Sequence, residues 1–189
     1  METHPSLELG LDTEGTRRIR EIAGEVGAFL TGEFTLTSGR KSNYYIDGKK
    51  ISLSPEGAYL VGKAIFDELV KTGVDAIGGV ATGAYPMVTA VALVSHLEGK
   101  PIPAFIVREV TKEHGTMRQI EGHLKAGSRV AIVDDVLTTG GSILKAVEAV
   151  KAAKCRVVKV IVLVDRGEGG SDRLKQEGYD FTALLSVSH

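Results

Sequence analysis

Short, mostly aliphatic runs set apart by helix-length segments constrain this chain more than any other feature. Residues 76–81, 104–107, 130–133, 157–164 and 181–187 are such runs, and helical patterns over 85–98 and 141–153 lie between them. Strands that are apolar along nearly their whole length are buried on both faces. The predicted fold class is therefore α/β, a central parallel sheet flanked by helices. A length of 189 residues suits one domain.

The first 50 or so residues break this rhythm and read as a small hood on the core, which runs from about 55 to 165. Ile19, Ile22, Ala23, Val26, Phe29 and Leu30 recur at three-and-four spacing, which predicts a helix over 15–30 that Gly32 ends. Residues 34–47 alternate in a way that suits short strands and turns. Ser54 followed by Pro55 predicts a helix opening there and running to about Lys71. The polar stretch 109–125 is long for a connection in an α/β fold, a length typical of lids and binding loops.

Composition narrows the functional classes. With 23 Lys and Arg against 24 Asp and Glu, the chain has no basic excess to draw nucleic acid or an anionic membrane, so any anion site must be local. The longest aliphatic runs, such as 160–164, fall far short of the roughly 20 residues a membrane helix needs. The first ten residues lack the regions of a secretory signal, and Cys155 is the single cysteine, so a reducing cytoplasm is the expected location. Cys155 is given no role. The five histidines show no metal-ligand spacing.

The most informative segment is 129–146. A strand leads to Asp134 and Asp135, then to Thr138-Thr139-Gly140-Gly141-Ser142, then to a helix. Glycine at a helix entrance costs roughly 1 kcal/mol against alanine, so it needs a reason. Close backbone approach to a ligand is one, because the first turn of a helix offers unpaired N–H groups and a positive dipole end to a phosphate. The alternative is that Thr138 or Thr139 caps the helix and the glycines only let the chain turn. Two acids beside a phosphate cradle would repel a bare phosphate, but they would accept hydrogen bonds from a sugar phosphate's hydroxyls. No Lys follows the glycines as in a Walker A loop, and the G-x-G-x-x-G pattern is missing.

VAIVDDVLTTGGS, residues 130–142, resembles the ribose-phosphate signature of the type I phosphoribosyltransferases. REVTKEHGTMRQIEG, residues 108–122, is similar to the catalytic loop of the orotate phosphoribosyltransferase family. FTLTSGRKSNYYID, residues 34–47, resembles that family's hood, and Val164-Asp165-Arg166 its strand end. The resemblance implies a type I phosphoribosyltransferase fold and transfer of a 5-phosphoribosyl group from phosphoribosyl diphosphate (PRPP) to orotate, with magnesium held mainly by PRPP and not directly by the protein. It implies that Asp134 and Asp135 face the ribose hydroxyls and that Val136, Leu137, Thr138, Thr139, Gly140, Gly141 and Ser142 complete the PRPP site. Arg108, Lys112 and His114 would engage pyrophosphate, with Lys112, His114 and Asp135 catalytic, and Thr138 and Arg166 would meet orotate. It also implies a homodimer whose loop 108–121 is shared between subunits.

Such a reaction leaves a ribosyl oxocarbenium ion beside departing pyrophosphate, so positioning, charge and exclusion of water carry it. Arg166 could serve orotate's carboxylate through a bidentate pair, or pair with Asp165 or a surface Glu. Tyr44 and Tyr45 could stack on a base or simply pack the hood. Some family members carry Lys where this chain has Thr37, Gly83 and Glu109. The alternatives to orotate transfer are transfer to another nucleobase and a PRPP-sensing regulator.

Overall fold

The computed structural model describes residues 5–35, 41–108 and 119–188. Its main sheet holds seven strands. These are β1 (Ser6–Leu9), β4 (Ala76–Val80), β5 (Ala104–Val107), β6 (Ile120–Gly122), β7 (Arg129–Leu137), β8 (Arg156–Asp165) and β9 (Phe181–Ser188), in the order β1-β9-β8-β7-β4-β5-β6. The pairings β9-β8, β8-β7, β7-β4 and β4-β5 are parallel. Both edges are antiparallel, β1 on β9 and β6 on β5. A separate hairpin pairs β2 (Phe29–Thr35) with β3 (Lys41–Ile46).

The helices among the described residues are α1 (Glu14–Glu25), α2 (Gly48–Ser52), α3 (Pro55–Leu69), α4 (Ala84–Leu97), α5 (Gly141–Ala152) and α6 (Gly170–Gln176). Two apolar layers, one on each side of the sheet, hold these elements together. Strand β7 feeds both by simple alternation: Ala131 and Val133 join the layer under α1, α3 and α4, while Val130 and Ile132 join the layer under α5.

The opening of α3 follows its sequence signal, with Ser54 Oγ accepting the Gly57 N–H at 3.2 Å and Pro55 in the first helical position. The predicted helix over 15–30 is corrected: α1 stops at Glu25, Gly27 takes a left-handed φ of 60°, and Phe29 and Leu30 begin β2. Apolar periodicity runs on past the helix because Phe29, which opens the first hairpin strand, also packs on the core, whereas Leu30 is exposed. Residues 6–9 lie in the main sheet and not in the hood, and β6 and α6 are elements that the aliphatic pattern did not reveal. No helix among the described residues is long and apolar enough to cross a membrane.

Candidate active site

The order of strands fixes where a ligand can enter. From β4 the chain goes to β5 on one side and returns to β7 on the other, so β4 and β7 flank the point where the winding reverses. In open α/β sheets, ligands bind in the crevice outside the carboxyl ends of such strands. Here those ends are the turn 81–83, which contains a cis peptide bond between Ala81 and Thr82, and the acidic end of β7.

Asp134 and Asp135 lie inside β7, not after it as the aliphatic run 130–133 suggests. Each is only 8% exposed. The two carboxylates meet different partners, although both reach the turn at Gly83, where a Cβ would lie 3.1 Å from Asp134 Oδ1. Asp134 Oδ2 accepts the Ser142 hydroxyl at 3.0 Å at the start of α5. Burial, and after it the negative charge of Asp135, pushes the Asp134 carboxyl up to about 7.

Asp135 faces α2 and the start of α4. Its Oδ1 accepts the Val136 N–H at 3.0 Å, and its Oδ2 accepts Lys49 Nζ at 3.3 Å. Burial alone would lower Lys49, but Asp135 and Asp47 outweigh it and hold the ammonium above its ordinary pKa. Gly48 lies flat on the acid, since a Cβ there would come within 2.9 Å of Asp135 Cβ. A Cβ at Gly83 would collide with Asp135 Oδ1.

The turn after β7 settles the choice between a capped and an open helix. Gly140 is the N-cap of α5, with φ 81°, and no side chain caps it; Thr138 and Thr139 are exposed and do not fold back. The leading N–H groups of α5 are left for another acceptor. From behind, the loop after β8 braces this turn: the Arg166 N–H donates to Leu137 O and the Gly170 N–H to Thr138 O, both at 3.0 Å. Leu137 is buried and Val136 half-buried, so the direct polar contacts they can offer are backbone ones.

Arg166 is buried, pairs with Glu168 at 2.7 Å and stacks 4.5 Å over the Tyr44 ring. The stacking joins the hood to the strand end. Tyr44 packs against Phe29, whereas Tyr45 is exposed beside Phe34. Arg108 pairs with Glu121 at 2.5 Å and lines a cavity of about 330 Å³ with Gln119, Ser142 and Lys145. Cys155 is buried, with Sγ 3.1 Å from Lys125 O. Lys112, His114, Glu109 and Thr37 lie outside the described residues.

The structure thus brings together the carboxylates, the turn 138–142, Gly83 and Arg166. It adds Lys49, which the sequence reading missed. Its only local signal is the helix opening Asp47-Gly48-Lys49, where Asp47 accepts the Lys49 N–H at 3.1 Å.

The phosphoribosyl transferase domain family matches residues 55–181. An orotate phosphoribosyltransferase of Aquifex aeolicus is 45% identical over 155 residues, covering 82% of this chain and 85% of that protein. A Mycobacterium tuberculosis orotate phosphoribosyltransferase solved with inorganic phosphate superposes with a TM-score of 0.79 at 32% identity, over 92% of this chain and 96% of that one. The same enzyme solved with PRPP gives 0.75 at 31% identity, over 91% and 96%. On its fold, its signature turn and these relatives, the chain belongs to the orotate phosphoribosyltransferases of the phosphoribosyl transferase family.

Proposed function

We propose that this chain transfers the 5-phosphoribosyl group of PRPP to orotate, giving orotidine 5′-monophosphate and pyrophosphate in the synthesis of pyrimidine nucleotides. One observation carries the reading: an uncapped helix N-terminus opens beside two buried acids at the reversal point of the sheet. Amides and the hydroxyls of Thr138, Thr139 and Ser142 suit the 5-phosphate, and Asp134 and Asp135 suit the ribose hydroxyls. The C1–oxygen bond to pyrophosphate breaks with its electron pair leaving on oxygen. N1 of orotate, having lost its proton, supplies the pair for the new bond at C1.

The protein needs no covalent role in this step. Arg166, already oriented by Glu168 and Tyr44, faces the charge of orotate together with Thr138. Arg108, Lys112 and His114 answer the leaving charge, with Lys112 and His114 acting at the reacting centre. Magnesium bound to PRPP would neutralise the leaving oxygens. Among the described residues no group of three or more His, Cys, Asp or Glu is placed to hold a metal. The two carboxylates of the site suit an ion that keeps most of its ligands from substrate.

The working unit is a homodimer with the 108–121 loop shared between subunits. Supporting this is an apolar groove of about 600 Å³ along α3 and α4, where Leu93 and Leu97 are 60% and 72% exposed. It reaches Tyr85, two residues from Gly83, so a second copy seated there would stand beside the site. A cytoplasmic location accords with the buried free thiol of Cys155.

The test is base consumption by the purified protein. Orotate should disappear only with PRPP and magnesium both present; turnover of uracil, hypoxanthine or adenine instead would overturn the choice of base. PRPP binding without turnover of any base would support a sensor.

A further inference from the structure

Asp135 sits under a constraint that the reaction does not explain. It is buried next to a second buried carboxylate, and one cation, Lys49, reaches it from outside with 46% of its side chain exposed. The contact is built in and not incidental. Asp47 pins the Lys49 backbone at the start of α2, and Gly48 seats that helix end against Asp135 Cβ. With the Val136 N–H on Oδ1 and Lys49 on Oδ2, both oxygens of Asp135 are held, which fixes the plane of the carboxylate. The opposite approach is closed, because a side chain at Gly83 would strike Oδ1. A lysine at 83, as in some family members, has no room here, so the counter-charge comes from α2.

We propose that Lys49 is a positioning residue that holds the Asp135 carboxylate turned toward the ribose diol, and so sets the preference for a sugar bearing that diol. This rests on the sugar-phosphate reading of the site given above. Lys49 touches the acid and not the reacting atoms. A carboxylate held in one plane presents its remaining lone pairs to two hydroxyls at fixed positions, whereas a rotating one loses that match. Asp47, 3.4 Å from Lys49 Nζ, keeps the ammonium from swinging away.

The test compares ribose 5-phosphate with 2,3-dideoxyribose 5-phosphate by titration calorimetry on the full chain, in wild type, Lys49→Ala and Lys49→Arg. The phosphate end is the same in both ligands. Lys49→Ala should lose about tenfold in affinity for the ribose ligand, the scale of a charge-assisted hydrogen bond. Affinity for the dideoxy ligand should be unchanged, and Lys49→Arg should restore most of the preference. Equal weakening toward both ligands would reduce Lys49 to a general source of positive charge and overturn the proposal. Tighter ribose binding in Lys49→Ala would show a plug and also overturn it, as would a wild type that does not tell the two sugars apart. Thermal melting of each variant checks that the fold is intact. Orotate turnover in the same samples separates the two readings: discrimination that depends on Lys49 without orotate consumption counts against the proposed reaction alone, while normal consumption with discrimination untouched by Lys49→Ala counts against Lys49 alone.

Discussion

At Asp134 the site works against the fold that contains it. The carboxyl rises from an ordinary 3.8 to about 7, first through burial and then through Asp135. Between those values the folded chain holds more protons than the unfolded one, so stability falls as pH climbs through the window. Asp134→Asn removes that penalty. The variant should melt above wild type at pH 8, by a margin on the order of a few kcal/mol of stability, with the two converging near pH 4. Calorimetric melting across pH checks this, and a variant no more stable than wild type at pH 8 would contradict it. Ser142 donates its hydroxyl to Asp134 at 3.0 Å, and the proposed phosphate would compete for that hydrogen, which would couple occupation of the turn to the charge of Asp134.

Elements show why some of the site could be read from sequence and some could not. Ser54-Pro55 and the glycine turn before α5 are local signals, complete within a few residues, and both sit where the pattern placed them. The end of α1 was hidden because Phe29 and Leu30 keep the helical period while Gly27 turns the chain away from it. Strands β1 and β6 are short edges without the aliphatic run of a buried strand. Lys49 was out of reach, since its partner lies 86 residues along the chain and only folding brings them together. The brace behind the phosphate turn was equally invisible: a Cβ at Gly170 would meet Thr138 O and come within 2.8 Å of Leu137 Cδ1. Gly170→Ala should therefore shift the turn, weakening ribose 5-phosphate binding and costing roughly 1–3 kcal/mol by urea unfolding, though residue 170 is given no contact with ligand. Unchanged affinity would mean that the turn holds its shape unaided.

Across the whole molecule, the groove on α3 and α4 and the proposed sharing of the loop make one joint prediction. Lys112→Ala and Asp135→Asn should each be nearly inactive, and mixing them should recover activity, because a hybrid dimer regains one intact site. Adding Leu93→Asp to both should abolish that recovery and give monomers by sedimentation; no recovery on mixing the two single variants would place the loop in its own subunit's site, and recovery that survives Leu93→Asp would take the groove out of the interface. The acids mark the place where the alternation of β7 turns over. Before them Val130 and Ile132 face the layer under α5 and Ala131 and Val133 the other, whereas after them Val136 packs with Ala131 and Val133, and Leu137 with Val130 and Ile132. One extra residue slipped in ahead of Asp134 would exchange that acid's surroundings, moving it to the lysine side and leaving the serine without its carboxylate. Connecting loops can lengthen without such an exchange, which leaves the stretch from Arg129 to Leu137 as the one place where this catalyst must count its residues.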